Sequence, residues 1–433
     1  MKKNSVLPIV LVTSLFFLWG LTSNLLPTLI PHLKKACRLT DFQSAFIDSA
    51  YWIGYFCIAI PAGLVMKKFG YKKAIIAGLL IAAIGTFLFY PAANARTFAF
   101  FLFALFIIAS GMTFLETAAN PYMTILGPPE TSSLRLNLAQ AFNGLGAFIA
   151  GRYLSKVILS GKEITDDFLK SLAPADADAL LTKEAQSVQA PYVIIGLVLL
   201  SVAILFILTK FPPENTSAET TSPSAGEKTS QINAGSGASI FSNRQVLLGV
   251  VAQFFYVGGQ VCISSFFIRY SKYAAGMQES QSTDYLGYML LGFMTGRYIG
   301  TFLMRYIQPA VLLAVYSFAN IVLLGIIISA GGKVSIFALI GVEFFMSIMF
   351  PTIFSLTLKG LGDKTKLASS LLVMAIVGGA VFPVLMGRIS DAANIQQAYI
   401  VPAVCFVVIL FFAFRIRSIH TKEDKALLAG ASV

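Results

Sequence analysis

The chain has 433 residues, of which 57% are hydrophobic and only 12% charged, and its mean hydropathy is +0.77. Soluble chains carry about 25% charged residues, so an ordinary soluble enzyme, a disordered chain and a nucleic-acid binder are excluded. The net charge of +12 therefore has to be read as charge placed around a lipid bilayer.

A helix that crosses a membrane needs about 20 mostly apolar residues. Twelve stretches qualify, near 6–31, 43–66, 72–92, 98–126, 134–159, 190–211, 244–271, 282–304, 309–330, 333–360, 366–391 and 396–416. They are long and continuously apolar, which favours helices over the short alternating segments of a β-barrel. The first is too long for a signal peptide, contains Asn24, Pro27 and Pro31, and lacks a small-residue cleavage site. The predicted fold class is an all-α membrane protein of twelve transmembrane helices.

Charged groups at mid-bilayer cost about 2.5–3.5 kcal/mol on insertion scales, so polar residues inside the spans mark a cavity or a partner. In span 1, Trp19, Ser23 and Asn24 project inward. Trp19 lies about 20 Å from the start of its span by helical rise, away from the inner boundary where an anchoring role would place it. Asp48 sits early in span 2, within reach of water. Lys67, Lys68, Lys72 and Lys73 crowd the next loop and serve topology and lipid headgroups, not nucleic acid. In span 4 the segment FLETAANPY places Glu116 and Asn120 on one helix face, and Pro121 frees a backbone carbonyl. Glu116 is read as a proton- or substrate-linked carboxylate, with a structural bond between helices as the alternative.

Span 5 carries Asn137, Gln140 and Asn143 at three-residue spacing, and Gly144 and Gly146 for close helix approach. Amides donate and accept at once, which suits sugar hydroxyls; an amide network gluing helices is the alternative. Arg152, near the outer end, reads as a snorkelling cation. Residues 212–243 are rich in Ser, Thr, Gly and Pro and form a flexible linker. Beyond it, span 7 carries Gln253, Tyr256, Gln260 and Ser264 on one stripe, span 8 carries Arg297, and span 10 carries Glu343.

Lys and Arg placement sets orientation. With the N-terminus cytoplasmic, the inner side collects Lys2, Lys3, the loop lysines, Lys210, Lys228, Arg244, Arg305, Lys359, Lys364, Lys366, Arg415, Arg417, Lys422 and Lys425. The outer loop 160–189 balances its lysines with acids. Both termini are then cytoplasmic. The plan is 1–211 as one six-helix bundle, 212–243 as a cytoplasmic linker, and 244–433 as a second bundle with a short tail, as in transporters built from repeats. Faint symmetry supports it: Asn120-Pro121 breaks span 4 ahead of Arg135, and Phe350-Pro351 breaks span 10 ahead of Lys366. Cys37, Cys57, Cys262 and Cys405 are scattered, and His32 and His420 are too few for a histidine centre. No metal, no cofactor and no enzymatic nucleophile set are expected.

The segments FFLWG (16–20), LETAANPYMTILGPPE (115–130), RLNLAQAFNGLGA (135–147), GRYIGT (296–301), FPTIFSL (350–356) and GRISDAA (387–393) run from span 1 to span 11. Together they resemble the L-fucose:proton symporter branch of the major facilitator superfamily, which includes glucose/galactose and N-acetylglucosamine permeases. The resemblance implies alternating-access sugar uptake driven by a cation gradient. It implies Glu116 as the proton-linked carboxylate, and Trp19, Asn24, Gln140, Asn143 and Arg297 as cavity-lining residues. The chain also departs from the pattern. Pro27 stands where the family has an aspartate, Asp48 where it has an amide, Phe350 where it has a tyrosine, and Lys67 where it has an acid. Arg152 and Glu343 are additional.

The expectation is a multi-pass, monomeric protein of the bacterial inner membrane that imports a monosaccharide such as fucose, glucose/galactose or an amino sugar. The coupling cation is a proton or sodium. Glu116 and Asp48 are the coupling candidates; Trp19, Asn24, Asn120, Gln140, Asn143, Gln253, Gln260 and Arg297 are the substrate-binding candidates. An acidic sugar (a sialic acid or a uronate) and an efflux permease stand as alternatives.

Overall fold

A computed structural model describes residues 6–23, 29, 33, 36–39, 41–150, 171–211 and 240–430, and their regular structure is helical. Twelve helices follow the twelve predicted stretches: α1 (Val6–Ser23), α2 (Asp41–Phe69), α3 (Tyr71–Ala95), α4 (Phe98–Ile125), α5 (Ser132–Ile149), α6 (Gln189–Leu208), α7 (Arg244–Ala275), α8 (Glu279–Leu303), α9 (Pro309–Ser329), α10 (Gly332–Leu358), α11 (Thr365–Ala392) and α12 (Ile400–Gly430). A surface helix, Pro174–Gln186, precedes α6. Its Asp178 pairs with Arg96 at 2.7 Å. Nine of the described helices are long and apolar enough to cross a membrane. The three outside that group, α1, α5 and α8, carry Trp19, Gln140 with Asn143, and Arg297. In α5 and α8 a face turned to a polar cavity lowers the overall apolarity, whereas α1 is strongly apolar and falls outside on the length of its described part.

The ends of these helices follow local chemistry. Gly70 turns the chain between α2 and α3 at φ 86°, a left-handed conformation that glycine adopts without a Cβ penalty. Asn243 caps α7, its side chain accepting from the Gln245 and Val246 amides at 3.0 and 3.2 Å. Gly276 ends α7 at φ 61°.

Contacts are dense within α1–α6 and within α7–α12, and fewer pairs cross between the halves. Small residues set the closest approaches. Gly111 abuts the backbone of Ala82 and Gly78, joining α4 to α3; Gly20 abuts the backbone of Asn143, and Gly146 that of Phe17, joining α1 to α5. Gly144 departs from its predicted packing role. Nothing lies within 4 Å of the place its Cβ would occupy, and it faces a cavity instead.

The two proline sites act differently from the expected helix breaks. α4 runs unbroken through Pro121. Proline has no N–H to give the carbonyl four residues earlier, and that carbonyl, of Thr117, accepts from Ser369 of α11 at 2.6 Å. In α10 the break falls at Ser347-Ile348, ahead of Pro351. The carbonyl freed there, of Ser347, accepts from Arg297 Nε at 2.8 Å. The halves also meet through Ser133 and Ser355 at 2.7 Å and through Asn137 and Thr352 at 3.2 Å. Lys366 Nζ lies 5.1 Å from the Tyr71 ring centroid. Gly63 of α2 abuts Ser370 of α11. These contacts gather toward the face that carries the α2–α3 turn and the start of α7, so the molecule is closed on the linker face.

Candidate functional site

Between the halves lies a cavity of about 330 Å³, at the small end of the ~300–1,000 Å³ range of ligand pockets. One wall comes from Trp19 and Ser23 of α1, Tyr51, Trp52 and Tyr55 of α2, Glu116 of α4, and Gln140, Asn143 and Gly144 of α5. The other comes from Tyr256, Gln260 and Ser264 of α7, Phe293, Met294 and Arg297 of α8, and Phe350 of α10. Aromatic faces alternate with groups that donate and accept. That pairing suits a polyol whose ring is apolar on its faces and hydroxylated at its edges.

A line of hydrogen bonds crosses the first wall. Trp19 Nε1 donates to the Tyr55 hydroxyl at 3.1 Å. Ser23 and Tyr51 share a hydroxyl bond at 2.8 Å, and Tyr51 reaches Tyr55 at 3.4 Å. The Tyr55 hydroxyl lies against Glu116. Glu116 is 3% exposed, and neither carboxylate oxygen reaches full hydrogen-bond geometry with a described residue. Burying a charge without a paired cation is costly, and taking up a proton removes that cost.

The predicted site residues divide by position. Trp19, Glu116, Gln140, Asn143, Gln260 and Arg297 line the cavity. Asn120 and Gln253 do not. Asn120 is fully buried behind the wall, donating to the Glu116 backbone carbonyl at 3.0 Å and accepting from Gln140 Nε2 at 3.1 Å. Gln253 is fully buried, with neither amide atom bonded to a described group. Asn24, Pro27 and Arg152 lie outside the described residues, as does the side chain of Asp48. The amides of α5 serve both predicted purposes at different depths: Asn137 binds the other half, Gln140 holds Asn120, and Asn143 faces the cavity.

Arg297 is 4% exposed. Its Nε holds the Ser347 carbonyl and its Nη1 holds the Gln140 carbonyl of the other half at 2.6 Å. The guanidinium stacks 4.5 Å from the Phe293 ring centroid. It links the halves instead of pointing a free fork into the cavity. Sequence reading missed Tyr51, Trp52 and Tyr55. Their signal was present as the run AYWIGYF, with two tyrosines four apart and so on one helix face.

The sequence profile of the Major Facilitator Superfamily matches residues 11–376. The chain is 42% identical over 424 residues to the L-fucose-proton symporter of Escherichia coli (strain K12), covering 96% of this chain and 94% of that protein. It is 39% identical over 413 residues to the glucose/galactose transporter of Brucella abortus biovar 1 (strain 9-941), covering 95% and 94%. Among solved structures, the crystal structure of FucP, a Major Facilitator Superfamily transporter in the outward conformation, matches with a TM-score of 0.87 at 42% identity. That match covers 96% of this chain and 99% of that one.

Proposed function

This chain belongs to the Major Facilitator Superfamily, and from that premise we propose that its central cavity binds a monosaccharide and Glu116 couples the sugar's passage to a proton. The protein is a transporter and not an enzyme. It is a proton-coupled monosaccharide symporter, as its relatives are by name. The carrying observation is Glu116: a buried carboxylate without an ion pair among the described residues, reached by a tyrosine hydroxyl, at the edge of a cavity walled by aromatics and amides. Trp19 supplies an aromatic face for the sugar ring, and Gln140, Asn143 and Gln260 supply its hydroxyl partners. Arg297 commits Nε and one Nη1 hydrogen to two carbonyls and so offers no free Nε–Nη fork for a carboxylate, which favours a neutral sugar over an acidic one. Asn120 acts behind the wall by holding Gln140.

The two bundles are 1–211 and 244–433, joined by residues 212–243. The positive-inside pattern of the loops puts the linker and both termini in the cytoplasm of a bacterial inner membrane. Closure on the linker face then makes this the outward-facing state. Glu116→Gln tests the reading in proteoliposomes. It should abolish accumulation of L-fucose or D-galactose against a gradient while sparing sugar exchange. Full uphill transport by that variant removes Glu116 from the coupling mechanism.

A further inference from the structure

A second buried carboxylate lies behind the wall of the same cavity in the other half, one hydroxyl away from it. Glu343 lies on α10, one turn before the break at Ser347, and is 5% exposed. Its Oε1 accepts from Ser264 Oγ at 3.3 Å. Ser264 belongs to α7 and lines the cavity, and its hydroxyl is also 3.2 Å from the Gln260 carbonyl.

The groups that face Glu343 are Ser264 and Tyr256 of α7, and Tyr399 just ahead of α12. α9 packs along α10 and carries no charged residue. α8 brings Arg297, but that guanidinium is held on the carbonyls of Ser347 and Gln140. Arg269 of α7 faces Tyr399 and stacks over Phe266, 4.1 Å from its centroid. No described cation forms an ion pair with Glu343. A carboxylate kept only for structure at this depth needs a paired cation or several donors. Glu343 has one hydroxyl, and that hydroxyl opens on the cavity. The arrangement mirrors Glu116, which Tyr55 approaches from the opposite wall.

We propose that Glu343 is a second protonation site, so that each half of the molecule carries one carboxylate that exchanges protons with the shared cavity. The assignment rests on the symporter reading above. In the loading step a hydronium in the open cavity gives its proton to Ser264 Oγ as the Ser264 hydroxyl proton passes to Glu343 Oε1. Water leaves, Ser264 stays neutral, and Glu343 gains one proton. Because Glu116 and Glu343 reach the one cavity from opposite bundles, both discharge when that cavity opens to the other side.

The test is the proton-to-sugar ratio of the full chain in proteoliposomes, read from the reversal potential of uptake with L-fucose and D-galactose as probes. Glu343→Gln should lower the ratio by one proton per sugar and flatten one limb of the pH profile, while sugar still raises thermal stability. Ser264→Ala should keep the wild-type ratio and slow uptake threefold or more. An unchanged ratio and pH profile in Glu343→Gln overturns the proposal, as does altered sugar affinity at an unchanged ratio, which makes Glu343 a sugar ligand. A pH titration of the carboxyl infrared bands, wild type against Glu343→Gln, decides the assignment independently of transport. If the wild type accumulates neither sugar, the symporter reading falls on its own. A titrating carboxyl band that disappears in Glu343→Gln then still upholds the protonation site, and an unchanged set of bands overturns it.

Discussion

At the level of single residues, the cavity wall is organised by hydroxyls as much as by the charged groups that stand out in an apolar sequence. Trp19 has two separable contributions, its indole face toward the cavity and its Nε1 bond to Tyr55. Trp19→Phe keeps a ring face and removes the bond. A net hydrogen bond is worth about 0.5–1.5 kcal/mol, so the apparent KM for sugar exchange should rise about two- to twelvefold. Trp19→Ala removes both and should cost more than Trp19→Phe. Equal KM values for the two variants would show that the ring face contributes nothing. The polar positions were legible because lipid makes them expensive: Glu116, Gln140, Asn143, Gln260 and Arg297 all reach the cavity. Tyr51 and Tyr55 were not, because aromatic residues are ordinary in spans and only the fold shows their hydroxyls converging. Asn120 and Gln253 read like cavity amides but lie behind the wall, a distinction of helix rotation that stripe spacing does not carry.

At the level of helices, proline and glycine decide where the halves touch. Pro121 and Pro351 each free a carbonyl, and each carbonyl is taken by a side chain that ties helices together, Ser369 and Arg297. The sequence announces the freed carbonyl but not its partner, because Ser369 is 252 residues from Thr117. Gly63 is a sharper case. A side chain there meets Ser370 of α11, a contact that exists only while the linker face is closed. Overpacking costs about 1–3 kcal/mol, and a ligand-free two-state equilibrium moves tenfold for every 1.4 kcal/mol. Gly63→Val should therefore shift the population about five- to 150-fold toward the state open on the linker face. Labelling of a Ser133→Cys reporter by a membrane-impermeant thiol reagent from that face measures the shift. Unchanged labelling would mean that α2 and α11 yield without separating.

At the level of the whole molecule, the sequence carries the apolar spans, because the bilayer imposes their length. It does not carry the state of closure. Two arrangements of the same bundles satisfy the same hydropathy, and only paired contacts distinguish them. Those contacts make alternating access testable as a mechanical claim. Ser133 of α5 and Ser355 of α10 are buried and their hydroxyls are 2.7 Å apart across the two halves. That separation is compatible with the Cβ spacing of about 3.5–4.5 Å that a disulfide requires. A Ser133→Cys/Ser355→Cys pair, in a background with Cys37 and Cys57 replaced by serine, should cross-link on oxidation and hold the linker face shut. Sugar then still binds from the open side, seen as a retained thermal shift, while counterflow falls to the background of empty liposomes and returns on reduction. Transport that continued in the fully cross-linked protein would require a route that leaves α5 and α10 together, and the two halves could no longer be treated as bodies that rock apart at this interface.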